Sequence, residues 1–571
     1  MIRRGDGCSW IEVLRLSKPL LSVVLLSFVR QRARMCPHLK SVGRARVREG
    51  FFEGGTGHPA AHPPDVLVEK SRELARALGY TAKPAGTAHG FGYDRDYLQY
   101  VEKIDKSATR WQHRLGDSQP PAIVFWYRES PRPLQPEAFG ISSVSPDDPA
   151  PTVSGMILVS LDPQGRLLEF DAVPPQVDKS SGEAPPPDWN RLFEAAGLDI
   201  SRFSPAMPQW TPLGMADARA AWTGSLPGDR ASPVRVEAAA WRGKPTYFQI
   251  VGPWTRPGRM QSFEVAGGIK AVFFIACGMM ALLLAATVLL ARRNLRRERG
   301  DLRGAGRLAG FTAAAFMLIW IFSASHVAGV GELMLVAGAL SSALLLAACV
   351  WILYMAVEPI ARRRWPYSVI GWNRLLAGGF RDPVVGHDVL VGISLGMVIA
   401  LLDLLGQSVL SRFGATAPTI PLSPLLGVQG TIGSFLKVIP YAVNQALVGF
   451  VLIFVLRTVL RRDWLAAAAF VLFEVILSVL ATSASPVLAG VFAAAQTALV
   501  VLVMLRFGLL ALMACSFAYS LLVLFPITAD FSAWYAGASL FAVLSIAAIA
   551  AFAFHTARAG AAGVWRRGDL G

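Results

Sequence analysis

The fold of the chain is decided at residues 271–300, which read AVFFIACGMMALLLAATVLLARRNLRRERG. The first twenty of these residues are uncharged and mostly apolar, and a helix of that length spans a hydrocarbon core of roughly 30 Å. The arginines that follow form the kind of dense basic cluster that stays on the cytoplasmic side of a membrane. The stretch therefore predicts a first transmembrane helix that runs from outside to inside.

The composition of the chain is that of a protein with a large membrane part. Of its 571 residues, 53% are hydrophobic and only 16% are charged. The formal net charge of +16 could indicate nucleic acid, but much of the excess lies in arginine clusters beside apolar stretches, which favours membrane lipids as the partner and excludes nucleic acid. Residues 63–262 contain no cysteine, so no disulfide framework is predicted there.

Three segments follow from this division. Residues 1–50 form a leader, residues 51–265 an extracytoplasmic α+β domain of sensor type, and residues 266–571 a multi-helix transmembrane domain. Within the leader, residues 19–29 are apolar but too few to cross a membrane. They are either the core of a signal peptide or part of a mis-assigned start that does not fold.

The N-terminal domain is predicted to contain helices and hairpins. Its first helix begins at Pro63 and stops at Gly79, and residues 122–127 form a strand. Two hairpins are predicted at residues 156–173, around the turn 162–166, and at residues 234–251, around the turn 242–244, with a helix at Met215–Trp222 before the second. Helix followed by hairpin thus occurs twice, which suggests two related α+β units of the kind seen in small extracytoplasmic sensor and inhibitor modules.

Recurrent apolar stretches predict about nine transmembrane helices in the C-terminal half. The stretches are 271–290, 308–325, 333–357, 389–405, 438–456, 465–482, 487–505, 507–525 and 533–554. The arginine clusters at residues 362–364, 457–462 and 558–567 all fall on the cytoplasmic side if the first helix runs inward, and the C-terminus is then cytoplasmic. Residues 407–437, rich in Pro, Gly and Ser, are predicted to form an external or partly re-entrant loop.

Two acidic residues, Asp403 and Glu474, are the candidate polar groups inside the membrane. An ionised carboxylate is costly there and usually faces water or a partner. The pair therefore permits a transport or proton-relay hypothesis. Without a matching basic residue in a helix, we favour the alternative that both lie near helix ends or pair inside the bundle.

The cytoplasmic loop at residues 362–388 is the candidate contact for a signalling partner. Basic residues alternate with apolar ones there, as they do in segments that bind a protein surface or lipid headgroups. The alternative is a loop that only fixes orientation by binding headgroups. The candidate contact residues are Arg362, Arg363, Arg364, Trp372, Arg374, Arg381 and Asp382.

Several longer strings carry a family resemblance. They are Pro63–Leu67, Leu78–Tyr80, Phe125–Arg128, Leu192–Asp199, Val236–Pro245, Gly252–Pro257, Glu358–Pro366, Trp372–Gly378 and Arg381–Gly386. Together they resemble the region C-terminal to the catalytic domain in a group of bacterial, eukaryotic-like, membrane-bound serine/threonine protein kinases. The resemblance covers about residues 60–571. It implies an extracytoplasmic domain and a multi-helix membrane domain, to which the family adds a cytoplasmic kinase domain in front.

The catalytic motifs of that family are missing from the chain. Phe380-Arg381-Asp382 lacks the His and the downstream Asn of a catalytic loop, and Asp530-Phe531-Ser532 lacks the Gly of the metal-binding motif. No Gly-rich phosphate loop is present either. We therefore predict no catalytic residue, cofactor or metal, and a sensor and membrane portion without its catalytic head.

Three functional hypotheses remain open. The first is a non-catalytic sensory and signalling module in a bacterial inner membrane, with an unknown extracytoplasmic ligand and a kinase domain or another cytoplasmic signalling partner. The second is a permease or flippase-like transporter with a regulatory outer domain. The third is a truncated kinase remnant.

Overall fold

The structure of the protein is a computed structural model. It describes residues 62–105, 107, 119–137, 143–178, 182–227, 229–260, 267–413, 419–481, 485–528 and 530–568. The leader predicted at residues 1–50 lies outside the described residues.

The N-terminal part is one eight-stranded antiparallel sheet with helices packed on it. The strand order is β1-β2-β3-β4-β8-β7-β6-β5. The elements are α1 Pro64–Ala77, β1 Gly86–Tyr93, α2 Arg95–Ile104, β2 Ile123–Ser130, β3 Ile157–Leu161, β4 Leu167–Ala172, α3 Asn190–Ala195, β5 Ser204–Ala206, β6 Ala218–Leu226, β7 Asp229–Trp241 and β8 Lys244–Val251. The N-terminal domain therefore combines helices with a sheet, as the α+β prediction required.

The strand order divides the sheet into two halves of similar topology, with α2 as an extra helix between β1 and β2 of the first half. Each half has a helix followed by four strands in a meander, and the halves join where β4 pairs with β8. The two helices also end alike, since Gly79 and Gly197 take φ angles of +88° and +67°, a left-handed conformation that glycine adopts without strain. The sheet thus has two halves of similar topology, but the second half begins with helix α3 and not with the helix at Met215–Trp222 on which the suggestion of two related units rested.

The two faces of the sheet have different residues. One face carries Phe125, Val159 and Phe248, which are fully buried against the three helices. The opposite face carries polar residues that pair from strand to strand, as in Ser160 with Glu169 and Glu169 with Gln249. Because side chains alternate between faces along a strand, this polar row and the apolar core belong to the same strands.

The predicted hairpins are confirmed, but the predicted helix at Met215–Trp222 is wrong. Residues Ala218–Leu226 form strand β6, which pairs with β5 on one side and β7 on the other. Alanine favours a helix locally, yet every second residue here can face the core, and Trp222 packs there on Phe193. Pairing on both edges therefore overrides the local preference.

The C-terminal part is a bundle of long apolar helices around two short ones. Eight described helices are long and apolar enough to cross a membrane, fewer than the nine expected. The elements are α4 Gly267–Arg296, α5 Leu302–Ser323, α6 Gly331–Arg364, α7 Pro366–Leu376, α8 Pro383–Arg412, α9 Gly427–Leu460, α10 Asp463–Ala481, α11 Pro486–Arg506, α12 Leu509–Leu524 and α13 Ala536–Gly568.

The ninth apolar stretch is the short helix α12, and its place in the bundle explains its length. Sixteen residues reach only about 24 Å, less than a full hydrocarbon core. The helix is surrounded by protein, because Gly392 and Gly396 of α8 bring the two helices into close contact. A Cβ atom at these glycines would lie 2.3 Å from the carbonyl oxygen of Ala511 and 2.4 Å from that of Cys515. Helix α12 is therefore the buried centre of the bundle.

The loop predicted at residues 407–437 is also shorter than expected. Helix α8 continues to Arg412, and α9 already begins at Gly427. One glycine that indicated a loop serves helix packing instead, since a Cβ atom at Gly433 would lie 3.1 Å from the carbonyl oxygen of Phe322. Composition alone could not separate a loop glycine from a packing glycine.

The short connections between helices divide the bundle into two ends. The end at which α4 begins, here called the sheet side, has its connections at residues 324–330, 413–426, 482–485 and 525–535, which contain no Lys or Arg. The other end, here called the arginine side, has connections that contain Arg297, Arg299, Arg381, Arg461 and Arg462. The asymmetry that the sequence suggested is therefore an asymmetry between the two ends of the folded bundle.

Candidate functional site

The sheet domain packs directly on the sheet side of the bundle. The hydroxyl of Tyr93, at the end of β1, lies 3.2 Å from both the backbone nitrogen and the carbonyl oxygen of Ile420. Phe91 stacks on Trp534, with ring centroids 6.3 Å apart. Ile123 belongs to the same buried apolar cluster. The domain is therefore held by the α8–α9 and α12–α13 connections.

A second contact is made by the loop between β2 and β3. The buried Arg128 donates to the carbonyls of Ser145 and Pro149, at 2.7 Å each, and so fixes the loop on the polar face of the sheet. In the same loop, the backbone N–H of Val144 donates to the hydroxyl of Ser325, 3.0 Å away in the α5–α6 connection. Three connections on the sheet side thus contact one domain.

A cavity of about 290 Å³ lies at the strand ends where the two halves of the sheet meet, and we call it the inter-repeat cavity. Its acidic and polar lining comes from both halves, and its apolar lining includes Leu226 and Ile250. The polar lining residues are Asp94, Asp96, Gln119, Ser160, Glu169, Gln249, Thr255 and Arg256. A space of this size accepts a small organic molecule.

One wall of the inter-repeat cavity is the segment that leads to the first apolar helix. Trp254 is buried there against Tyr97 of α2, with ring centroids 5.1 Å apart. Gly252 allows this fold, because a Cβ atom at that position would lie 2.3 Å from the indole ring of Trp254. The next residue but one, Arg256, donates to Gln99 at 2.8 Å and lies 3.6 Å from the carboxylate of Asp96. The wall therefore depends on contacts with α2.

Burial raises the pKa of three carboxyl groups in or beside the cavity. Burial raises the pKa of Glu169, against the hydrogen bond that the Ser160 hydroxyl donates to it at 3.1 Å. Burial, together with the neighbouring charge of Glu169, raises the pKa of Asp171 well above its usual range. Burial also raises the pKa of Asp94, although the carboxylate accepts from the Tyr97 backbone N–H at 2.9 Å. A bound cation would relieve this shared cost.

Gln119, in the cavity wall, has a buried amide oxygen without a hydrogen-bond donor in the described part of the chain. Its side chain is 2% exposed, and its amide nitrogen donates to the carbonyl of Ala196 at 3.3 Å. Its Oε1 atom has no hydrogen-bond partner among the described residues. A buried amide oxygen without a donor is costly to the fold.

The inter-repeat cavity thus has the features of a binding site for a small cationic or hydrogen-bond-donating molecule. Carboxylates and an amide oxygen accept hydrogen bonds, while Trp254, Leu226 and Ile250 offer apolar surface. Among the described residues, no group of three His, Cys, Asp or Glu side chains could hold a metal ion. The arrangement supports binding and orientation of a ligand.

The residues predicted to contact a cytoplasmic partner lie together on the arginine side, but several of them are paired. Arg374 forms a two-pronged ion pair with Asp382, at 2.8 and 2.9 Å, and Asp382 also accepts from the backbone N–H of Val384 at the start of α8. Arg362 pairs with Glu358 on the preceding turn. These ion pairs and hydrogen bonds stabilise the end of α6 and the start of α8.

The other predicted contact residues differ in exposure. Arg363 and Arg381 are exposed. Trp372 lies on the amphipathic helix α7, and its side chain is buried in the bundle core. The side chain of Arg364 lies outside the described residues. The exposed arginines are thus the part of this surface that a partner or headgroup can reach.

A buried contact between α4 and α6 joins the first apolar helix to the arginine side. Pro359 has no N–H, so the carbonyl of Met355, four residues earlier in α6, loses its helical hydrogen bond. The amide of Asn294 in α4 donates to this carbonyl at 2.9 Å and to that of Ala356 at 3.1 Å. Asn294 is only 7% exposed. It therefore replaces the donor that the proline removes.

The two predicted intramembrane acids are not joined by any hydrogen bond or ion pair among the described residues. Asp403 of α8 accepts from Gln407 at 2.9 Å and from Gln496 of α11 at 3.3 Å. Glu474 of α10 makes no hydrogen bond in the described part of the chain and is half-buried. Asp403 thus has partners inside the bundle, while Glu474 does not.

Sequence reasoning missed three residues that shape the site. Asn294 stands inside the arginine cluster and was read only as part of it, although a proline inside a later apolar helix indicates that some donor must replace the lost one. Glu169 and Gln119 are distant in sequence from the linker they face, and no local pattern connects them.

Comparisons of the chain with protein-family models, with curated proteins and with solved structures found no match. The kinase-associated resemblance remains a prediction from the sequence strings.

Replacing Glu169 of the cavity together with the neighbouring Asp171 is expected to change the pH dependence of stability. Because the folded state raises the pKa of Glu169 and Asp171, their ionisation destabilises the fold as pH rises from below the unfolded values through the folded ones. The double variant Glu169→Gln/Asp171→Asn should therefore have a higher melting temperature at pH 8 and no gain at pH 4, as measured by differential scanning fluorimetry. The exposed control Glu194→Gln should change neither, and a uniform loss across pH would contradict the expectation.

The contact between Asn294 and the proline break should appear in a double-mutant cycle. Asn294→Ala leaves a buried carbonyl without a donor and should cost about 1–3 kcal/mol of unfolding free energy. In the Pro359→Ala background, residue 359 regains its N–H and bonds to Met355, so the same substitution should cost less than half as much.

Reversible unfolding in mixed detergent micelles measures this cycle. Thr287→Ala is the matched control, because the buried Thr287 hydroxyl bonds only to Leu284 in its own helix, at 2.8 Å. It should show no coupling with Pro359→Ala. Equal costs of Asn294→Ala in both backgrounds would rule out this role for the amide.

Proposed function

We propose that the chain is a membrane-embedded sensory and signalling module, non-catalytic in itself, that binds a small ligand in the inter-repeat cavity. The observation that carries the proposal is the position of that cavity. One of its walls, Gly252–Arg256, lies in the segment that leads to the first apolar helix, so a ligand that contacts this wall bears on the helix. The ligand class is a small molecule that carries a positive charge or hydrogen-bond donors.

The uneven distribution of arginine between the two ends of the bundle supports a particular orientation of the module in the membrane. The sheet domain contacts connections without Lys or Arg, and the opposite end of the bundle carries the arginine clusters. By the positive-inside rule, the domain then lies outside the cytoplasm and the arginine side within it. In the bacterial inner membrane that the sequence resemblance implies, the domain senses an extracytoplasmic signal and the C-terminus is cytoplasmic.

The contact between α4 and α6 supports transmission. Helix α4 begins after the cavity wall, and its Asn294 bonds to α6 just before Arg362 and Arg363. A ligand shifts a conformational equilibrium only if it binds one state better than the other. A shift of α4 changes the hydrogen bonds next to Pro359 and hence the positions of the exposed arginines. A kinase domain or another cytoplasmic signalling partner would bind at these arginines.

Coupling between the cavity and the arginine side can be measured without knowing the ligand. The reporter is Arg381→Cys, labelled by a maleimide in a chain whose native cysteines are replaced by alanine, in lipid nanodiscs. Arg256→Gln removes the contacts of the cavity wall with Asp96 and Gln99, and it should change the labelling rate about threefold or more. Adding Asn294→Ala should remove that difference.

The matched control is Arg202→Gln, an exposed arginine of the same domain away from the cavity lining. It should leave the labelling rate at position 381 unchanged. If Arg256→Gln and Arg202→Gln give the same rate in a folded chain, the cavity wall does not communicate with the arginine side, and the sensory proposal fails.

A permease or flippase-like transporter is the second candidate, and the surroundings of Asp403 favour it. Two glutamine amides from α8 and α11 converge on this carboxylate inside the bundle. Polar groups so placed often mark a substrate or ion pathway. Such a pathway would run between these helices.

Proton flux into liposomes separates the two candidates. A transporter loses flux by about tenfold or more on Asp403→Asn, while the fold persists. For the sensory module we expect no flux above that of empty liposomes in either form. Gln445→Asn, a change in an exposed polar residue of α9, is the control.

A further inference from the structure

The loop between β5 and β6, residues 207–216, exposes large apolar side chains to solvent. Met207, Leu213 and Met215 are 82%, 72% and 67% exposed. No hydrogen bond, ion pair or ring contact joins the loop to the described helices of the bundle. We call this segment the methionine loop. Apolar groups clustered at such exposure indicate a surface that is covered in the working protein.

Arginine side chains hold the methionine loop in place from behind. Arg235 and Arg219 donate to the backbone carbonyls of Met207 and Trp210, each at 2.7 Å. The buried carboxylate of Glu237 accepts from the backbone N–H of Gln209 at 3.0 Å. The apolar side chains are therefore displayed by an ordered backbone.

The loop lies on the polar face of the sheet, which also carries the β2–β3 loop, the second of the two contacts with the bundle. Arg235 and Glu237 project from the polar face, opposite the helices, and so does Arg128, which fixes the loop that contacts Ser325. The first half of the sheet contacts the bundle near β1, whereas the methionine loop belongs to the second half. The loop is therefore not part of that contact.

The chain enters its first apolar helix beside the same loop. Arg259 donates to the backbone carbonyl of Thr211, and helix α4 begins at Gly267. This helix is the most peripheral candidate span, with 7% of its apolar window buried and Phe273 and Phe274 more than half exposed. Lipid would surround such a helix, and the methionine loop is tied to the segment that precedes it.

We propose that the methionine loop is a lipid-binding surface that inserts Leu213 and Met215 into the headgroup and acyl boundary next to α4. Trp210 and the arginines behind the loop suit this depth, because indole rings prefer the interface and guanidinium groups contact phosphates. The loop then steadies the half of the sheet that does not contact the bundle. This surface is independent of whether the cavity binds a signal.

Depth measurements by electron paramagnetic resonance test the proposal. Nitroxide labels are placed one at a time at Leu213→Cys, Met215→Cys and Glu73→Cys in the cysteine-free chain, with one chain per lipid nanodisc. Glu73 is exposed on α1, on the opposite face of the sheet. Collisions with a water-soluble nickel chelate should be about threefold or more rarer at 213 and 215 than at 73, with oxygen collisions enriched.

Two results would overturn the proposal. The first is equal nickel accessibility at positions 213, 215 and 73. The second is exclusion of nickel at 213 and 215 only in discs that hold two chains, which identifies a second copy as the occupant. Hydroxyl-radical footprinting of the unmodified chain gives an independent check, in which Met207 and Met215 should be oxidised several-fold more slowly in discs than in the urea-unfolded chain.

Discussion

The pairing of β4 with β8 is the contact on which the rest of the N-terminal domain depends. Glu169 with Gln249, Phe170 with Phe248 and Asp171 with Tyr247 join two four-stranded halves into one sheet. The junction places Phe170 and Phe248 in a common core and leaves acids on the other face. It also brings the end of β8, and hence the segment before the first apolar helix, against residues of the first half. Without this pairing there would be two small sheets and no shared cavity.

The sequence predicted those parts of the structure whose cause is local. Hairpins around Gly165 and Gly243, the helix stop at Gly79 and the long apolar helices all follow from turn chemistry or from hydrophobic length. It failed where a residue's role is set by a distant neighbour. Ala218–Leu226 became a strand because β5 and β7 lie beside it, and helix α12 could be short because protein surrounds it.

The candidate site was less predictable than the fold for the same reason. Arg374, Asp382 and Asp403 stood out by residue type, but the ion pair of Arg374 with Asp382 and the bonds of Asp403 to Gln407 and Gln496 could be seen only in the folded bundle. The inter-repeat cavity unites residues from 94 to 256. A ligand pocket made by the meeting of two repeats has no linear motif, since each repeat supplies only part of it.

The bond between Asn294 and the proline break also constrains how the bundle is assembled. Helix α4 precedes α6 in the chain, so it is synthesised first. While the two helices are apart, the carbonyl of Met355 lacks its donor, and once they meet the Asn294 amide supplies it. Pairing of α4 with α6 is therefore favoured, because separating the two helices leaves the carbonyl of Met355 without a donor again.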